Sequence, residues 1–266
     1  MKFCSHIIFY LFFFSVITSA DFPEKTQLIR NNSVAKIMGR EDRKDGVHSG
    51  NRVLTRIYNH GAIGDLSSSF SGVYPIGSGH AYIFEFSPVI AASVVDANGF
   101  RKHIISDGTI GLTDDSPEGT PWGFEPLSGY ANPNQENLAM SDNQNSWPQS
   151  WPNRTSDWDG EWNGQYGKYV RADQESYFVV DDYYNSEFEF WPDQNDVPDD
   201  SAAAPDNHRR GLGIQLDVRG YQWNHPAAED ILIVTYWITN LGTNVLDSVV
   251  FGMYGDADVG GPSSFS

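Results

Sequence analysis

Two runs near the end of the chain constrain its fold more than any others. In residues 231–240, ILIVTYWITN, the residues Leu232, Val234, Tyr236 and Ile238 fall on one face of an extended strand, with Ile231, Ile233, Thr235, Trp237 and Thr239 on the other. Period-two alternation rich in β-branched and aromatic residues reads as a strand covered on both faces. Asn240-Leu241-Gly242-Thr243-Asn244 is turn chemistry, because Asn and Gly tolerate positive φ. A second run follows, with Leu246, Val250 and Tyr254 interleaved with Val249, Phe251 and Met253, so the pair is expected to form a β-hairpin. It ends in Asp256-Ala257-Asp258-Val259-Gly260-Gly261, two carboxylates one residue apart followed by glycines. Together they predict an all-β scaffold that delivers an acidic loop.

The first residues set the compartment. Lys2, the apolar run from Ile7 to Ile17 and the small residues Thr18-Ser19-Ala20 read as a secretory signal cleaved near Ala20. The run is too short for a bilayer span, which takes about 20 apolar residues, so no membrane insertion of the mature chain is expected. Cys4 is the only cysteine and lies inside the signal. The exported chain then has no disulfide and must be held by its core, by bound ions or by both. A formal net charge of −18 argues against nucleic acid and against anionic membrane surfaces.

The chain divides into a signal at 1–20, a polar leader or linker at 21–51 with a short helix near 34–38, and a β-sandwich-type domain at 52–266. Strands are expected at 52–58, at 80–86 and 89–95 joined by Ser87-Pro88, at 100–105, 177–180, 187–191 and 211–223. Asp96-Ala97-Asn98-Gly99 is a hairpin signal. Residues 106–165 are rich in Asp, Asn, Gly, Pro and Ser, yet carry Trp122, Trp147, Trp151, Trp158 and Trp162. That many aromatics predicts ordered loops folded over a sheet rather than disorder. The expected fold is an antiparallel β-sandwich with long Trp- and Asp-rich loops. The acidic loop has just begun when the sequence stops, which reads as a piece of a longer protein.

Asn59-His60-Gly61-Ala62-Ile63-Gly64, Tyr74-Pro75-Ile76-Gly77-Ser78-Gly79 and Ile90-Ala91-Ala92 together resemble the opening of large secreted proteins of Bacteroidetes-like bacteria, many exported by the type IX system. Residues 236–242, YWITNLG, and 251–260, FGMYGDADVG, resemble a later hallmark of the same proteins. The resemblance implies a β-rich N-terminal region followed by fibronectin-like modules and a C-terminal sorting domain. It implies no biochemical role.

Asp256 and Asp258 are the candidate metal ligands. Alternate residues of an extended chain point the same way, so both carboxylates can face one calcium ion, which takes six to eight hard oxygens. Asp193, Asn195, Asp196, Asp199 and Asp200 form a second acidic loop, which reads more simply as a charged solvated linker; Asp157-Trp158-Asp159-Gly160-Glu161 is a third, but its Gly falls too early for an EF-hand. Tryptophans beside carboxylates suit sugar rings, but Trp147, Trp151 and Trp162 are expected to cap the sheet, since aromatics bury large apolar areas. Catalytic templates fail. Gly77-Ser78-Gly79 is not a nucleophile elbow, Gly211-Leu212-Gly213 lacks a third glycine, and no two histidines have zinc spacing. A carboxylate pair for glycoside hydrolysis is placed by the fold rather than by spacing. The leading expectation is a secreted or cell-surface region, structural or adhesive and calcium-stabilised, with a glycan or cell-surface partner and further domains of a longer chain. The alternative is a carbohydrate-binding or carbohydrate-cleaving module.

Overall fold

The computed structural model describes residues 42–65, 69–96, 98–109, 122–193 and 208–258. The expected signal, the helix expected near 34–38 and most of the acidic loop at 192–207 lie outside them. No helix among the described residues is long and apolar enough to cross a membrane.

The architecture is all-β, and every ladder is antiparallel. In the first sheet, β3 (Ile83–Val95) lies between β4 (Arg101–Asp107) and β10 (Asp247–Ala257). A two-stranded ribbon, β1 (Asp45–His48) with β2 (Thr55–Tyr58), is tied to this sheet through Ile63, which bridges both Ile57 and Phe86. In the second sheet, β7 (Gln174–Asp181) pairs on one edge with the two-residue strands β5 (Glu125–Pro126) and β6 (Ala139–Met140). On its other edge come β8 (Ile214–Gln222) and then β9 (Ile233–Asn240). The sheets face each other across one core. Ile90, Ala92, Val94 and Ile104 of the first meet Phe178, Val180, Ile214, Leu216 and Val218 of the second. Period-two patterning puts these residues on the inner faces, and their burial holds the sandwich together.

The turn at 96–100 forms as its residues predict. The Asp96 carboxylate accepts from the backbone N–H of Asn98 and Phe100, and Gly99 takes φ +81°. The joint expected at Ser87-Pro88 is absent, because β3 runs straight through it. Pro88 O accepts from Gly108 N just past the end of β4, so the missing proline N–H falls where the ladder has already stopped. β1 lies inside the stretch read as a leader. Residues 187–191 are not a strand; instead the Arg210 guanidinium donates to the Ser186, Phe188 and Phe190 carbonyls and holds them as a loop.

The expected C-terminal hairpin does not form. The turn chemistry is present, since Asn240 Oδ1 accepts from Gly242 N at 2.9 Å, but β9 pairs with β8 and β10 with β3. Residues 241–246 therefore cross from one sheet to the other. The crossing packs on Pro192, whose carbonyl accepts from Thr243 N and Asn244 N. A Cβ at Gly242 would meet that carbonyl at 2.5 Å, so only glycine passes there. The Tyr236 and Phe251 rings, 5.3 Å apart, face each other across the sandwich instead of along a ladder.

Candidate functional site

The second sheet is covered on its outer face as well. Residues 141–173 fold back over β7 and β8 and seat Trp151 and Trp162 on Tyr177 and Val179. Both indoles are 2% exposed, with their rings 5.9 Å apart and edge-on. Each indole N–H finds an acceptor: Trp147 on Met140 O, Trp151 on Glu161 O, and Trp162 on the Glu175 carboxylate at 2.7 Å. These tryptophans cap the sheet as expected, on the face away from the sandwich core.

Under this cover lies a polar network. Arg219 stacks on its register partner Tyr177, 3.8 Å from the ring, and donates to Asn163 O at 2.6 Å. The Tyr177 hydroxyl donates to Asp217 at 2.9 Å and accepts from Asn153. Burial, with Asp217 alongside, pushes the Tyr177 phenol well above its ordinary value, so it stays neutral. Arg154 donates to Asn163 and stacks over Trp158 at 4.2 Å. At the uncovered end of the same face stands Trp237, register partner of Asp217 and 45% exposed. The expectation that β9 is covered on both faces is thus corrected. The loop layer ends before β9, so its outer residues Ile233 and Trp237 face solvent.

Beside the tryptophan loop is an aromatic surface around Arg171. Its guanidinium lies 4.6 Å from the Tyr166 ring and 5.3 Å from that of Tyr169, and it donates to the Tyr169 hydroxyl at 2.8 Å. The Arg171 backbone is clamped at both ends, its N–H on buried Glu175 and its carbonyl on the Trp223 indole N–H. Trp223 stacks on Tyr221 at 5.7 Å, and the Tyr221 hydroxyl donates to Gln165.

A third feature is the side of the sandwich where β9 and β10 stand. Each is the last strand of its sheet, and among the described residues nothing pairs with the outer edge of either. Ile233, Trp237, Ile238, Val249, Val250 and Phe251 are exposed there. Edge strands are usually blunted by lysine or proline; β9 carries no charge at all, and β10 only aspartates near its ends.

Groups resembling catalytic machinery are structural. Ser176 and His48 are within hydrogen-bond reach at 2.9 Å, but both are 0% exposed and no carboxylate meets the other ring nitrogen. Burial lowers His48 to about 4, and burial with nearby Arg43 lowers His60 to about 3, so both are neutral bases sealed from solvent. Asp182 is also wholly buried, and burial pushes its carboxyl up to about 6. Its oxygens accept from Ser106 Oγ, Leu212 N and Ile214 N, fastening the two sheets together. Buried Asp181 pairs with Arg209 at 2.6 Å, and buried Glu125 with Arg43.

Asp256 and Asp258 do not sit in a loop that begins after the strand. β10 runs on through Ala257, leaving Asp256 exposed within the ladder opposite buried Glu85, and Asp258 N donates to Tyr82 O. Among the described residues no three His, Cys, Asp or Glu side chains come together as a metal site. Of the acidic loops, Asp157 lies in a single 3-10 turn, Ser156–Trp158, and pairs with Lys168; residues 194–200 lie outside the described residues.

Comparison with protein-family models, with curated proteins and with solved structures finds no match to this chain. Sequence reading missed the Arg171 surface because residues 165–171 show no periodicity. Its one legible signal was a basic residue among closely spaced tyrosines in an acidic chain.

Proposed function

We propose that this chain is a non-enzymatic, secreted or cell-surface region whose role is structural or adhesive, and that it works through the open side formed by β9 and β10. The observation that carries this reading is the stacking of two unblunted edge strands, one from each sheet, with apolar residues exposed along both. Such edges offer a row of unpaired N–H and C=O groups beside apolar surface. The occupant they suit is another extended strand with alternating apolar side chains, bound by strand addition. Asp230 and Asp247 on the rim are paired with Arg52 and Arg101, but exposed Asp256 has no ion pair among the described residues, so a strand with Lys or Arg beside it is favoured over an acidic one. The signal-like start, the absence of cysteine after Cys4 and the resemblance to type IX-exported proteins support export, and mass spectrometry of secreted material should find Asp21 at the N-terminus.

The test is sedimentation of the purified protein together with hydrogen exchange. Wild type should self-associate with rising concentration, because its own edges are the nearest apolar strands, and β9 and β10 amides should gain protection as it does. Val249→Lys with Val250→Lys should abolish both effects. A protein that stays monomeric with β9 and β10 amides as protected as those of β7 would show that this side is closed. Calcium at Asp256 and Asp258 is retained as a subsidiary proposal. It rests on two carboxylates at alternate positions and on the like charge of Glu85 directly opposite Asp256, which a cation would relieve.

A further inference from the structure

Basic residues are outnumbered in this chain, where 35 acidic residues face 17 Lys and Arg. Arginines here are accordingly claimed. Among the described residues, Arg43, Arg52, Arg56, Arg101 and Arg209 each meet a carboxylate. Arg154, Arg210 and Arg219 meet backbone carbonyls. Arg171 is the exception. It is exposed, and one N–H of its five reaches the Tyr169 hydroxyl; no carboxylate or carbonyl of the described residues takes the others.

This arginine is anchored at its backbone, and its guanidinium is held against the tyrosines by the bond to the Tyr169 hydroxyl at 2.8 Å. Its backbone is tied at both ends, to Glu175 at 2.6 Å and to the Trp223 indole at 3.1 Å. Glu175 is 1% exposed, so the anchor belongs to the sheet rather than to the surface. The charged fork lies between two tyrosine rings that are 66% and 49% exposed. A guanidinium with four N–H groups unclaimed by the described residues, set against exposed aromatic rings, supplies two halves of a recognition surface. The fork matches a carboxylate or sulfate bidentately, and the rings supply flat apolar area for the C–H face of a pyranose. The backbone anchor and the bond to Tyr169 lower part of the ordering cost of binding.

We propose that Tyr166, Tyr169 and Arg171, backed by Trp223, form a binding site for an acidic sugar, a pyranose bearing a carboxylate or sulfate within a polysaccharide. The site is separate from the open side of β9 and β10 and does not depend on it. The net negative charge of the protein repels a polyanion at long range, but at about 0.15 M salt that repulsion is screened beyond about 8 Å while the contact pair survives.

The test is titration calorimetry of the full chain at that salt with three probes: polygalacturonate, dextran sulfate and neutral dextran. Saturable binding is expected to polygalacturonate or dextran sulfate, with whichever binds reporting the anionic group recognised, and none to neutral dextran. Arg171→Gln and Tyr166→Ala should each weaken binding by about tenfold or more. Arg171→Lys, which keeps the charge and loses the fork, should fall between wild type and Arg171→Gln. Both positions are exposed, so the melting temperature should be unchanged and loss of binding cannot be put down to unfolding. Equal affinity in wild type and Arg171→Gln, binding to neutral dextran as strong as to the polyanions, or no binding to either polyanion each overturns the proposal. Val249→Lys with Val250→Lys should bind the sugar like wild type, which keeps this result independent of the proposed role of the open side.

Discussion

β7, QESYFVVD, and β9, IVTYWITN, are each eight residues long and stand on either side of β8 in one sheet. Composition ranks them the wrong way round. β7 begins with Gln-Glu-Ser and ends in Asp, yet all eight of its residues are buried. β9 has no charged residue, yet none of its residues is fully buried. The difference comes from what lies over each strand. β7 has the first sheet on its inner face and the tryptophan loop on its outer face. Its polar groups are buried with partners: Gln174 with Ser49 N and Gly50 N, Glu175 with the Trp162 indole, and Ser176 with His48. Burial of polar groups is tolerated when each finds a partner. β9 has half of one layer and an open edge. Burial is therefore a property of the stack around a strand, and apolar composition reports only what a strand is able to meet.

The largest effect expected from this contrast is on stability. Trp162→Ala removes an indole packed on Trp151 and takes the donor from one oxygen of the buried Glu175 carboxylate, and should cost about 3–5 kcal/mol. Trp237→Ala, on β9, should cost about 1 kcal/mol or less. Urea midpoints at matched slopes would measure both, and equal losses would mean that β9 is as covered as β7.

A second test uses pH to reach the polar partners of the buried strand. His48, on Ser176 of β7, and His60 titrate near 6.5 when unfolded but at about 4 and about 3 when folded. The unfolded chain therefore takes up more protons below pH 6.5. The stability these residues contribute is whole above 6.5 and is lost as pH falls toward 4 and 3, by on the order of 1 kcal/mol per unit for each. Asp182 acts in the opposite sense. Its raised folded value, about 6, contributes stability below the ordinary carboxylate range that is lost as pH rises through 6. Two imidazoles outweigh one carboxyl, so the urea midpoint should fall from pH 7 to pH 5, and His48→Gln should flatten that slope. A midpoint that does not move would show that water reaches the imidazoles in the folded state.

The smallest effect belongs to the open side. Asp256 and Asp258 leave most of calcium's six to eight ligand positions to water, so excess calcium should raise the melting temperature by about a degree at most. Asp256→Asn with Asp258→Asn should remove that rise. A large, calcium-specific shift that survives the double variant would place the ion elsewhere.

Much of the fold was legible. Alternation located β8, β9 and β10, the Asp96 turn marked the β3–β4 hairpin, and the tryptophans of 106–165 marked ordered loops over a sheet. All of these are local: strand period, turn stereochemistry and the cost of exposing aromatics act within a few residues. The sites were less legible, because they depend on contacts between distant segments. The Arg171 surface joins 165–171 to 221–223, and Asp182 joins β4, β7 and the start of β8. Neither leaves a spacing to read.

The partner of each strand was decided only in three dimensions. Residues 231–258 carry every sign of a hairpin, and a hairpin would satisfy their local chemistry as well as the observed crossing does. The choice fell to β8 and β3, which offered register-matched edges, and to Pro192, against which the Gly242 turn packs. The sequence by itself determined that these residues would be strands, because backbone conformation and side-chain alternation are written residue by residue. Which edges they would join, and which of their faces would stay open, only the tertiary structure decided, because hydrogen-bonding edges are alike until the rest of the chain has placed them.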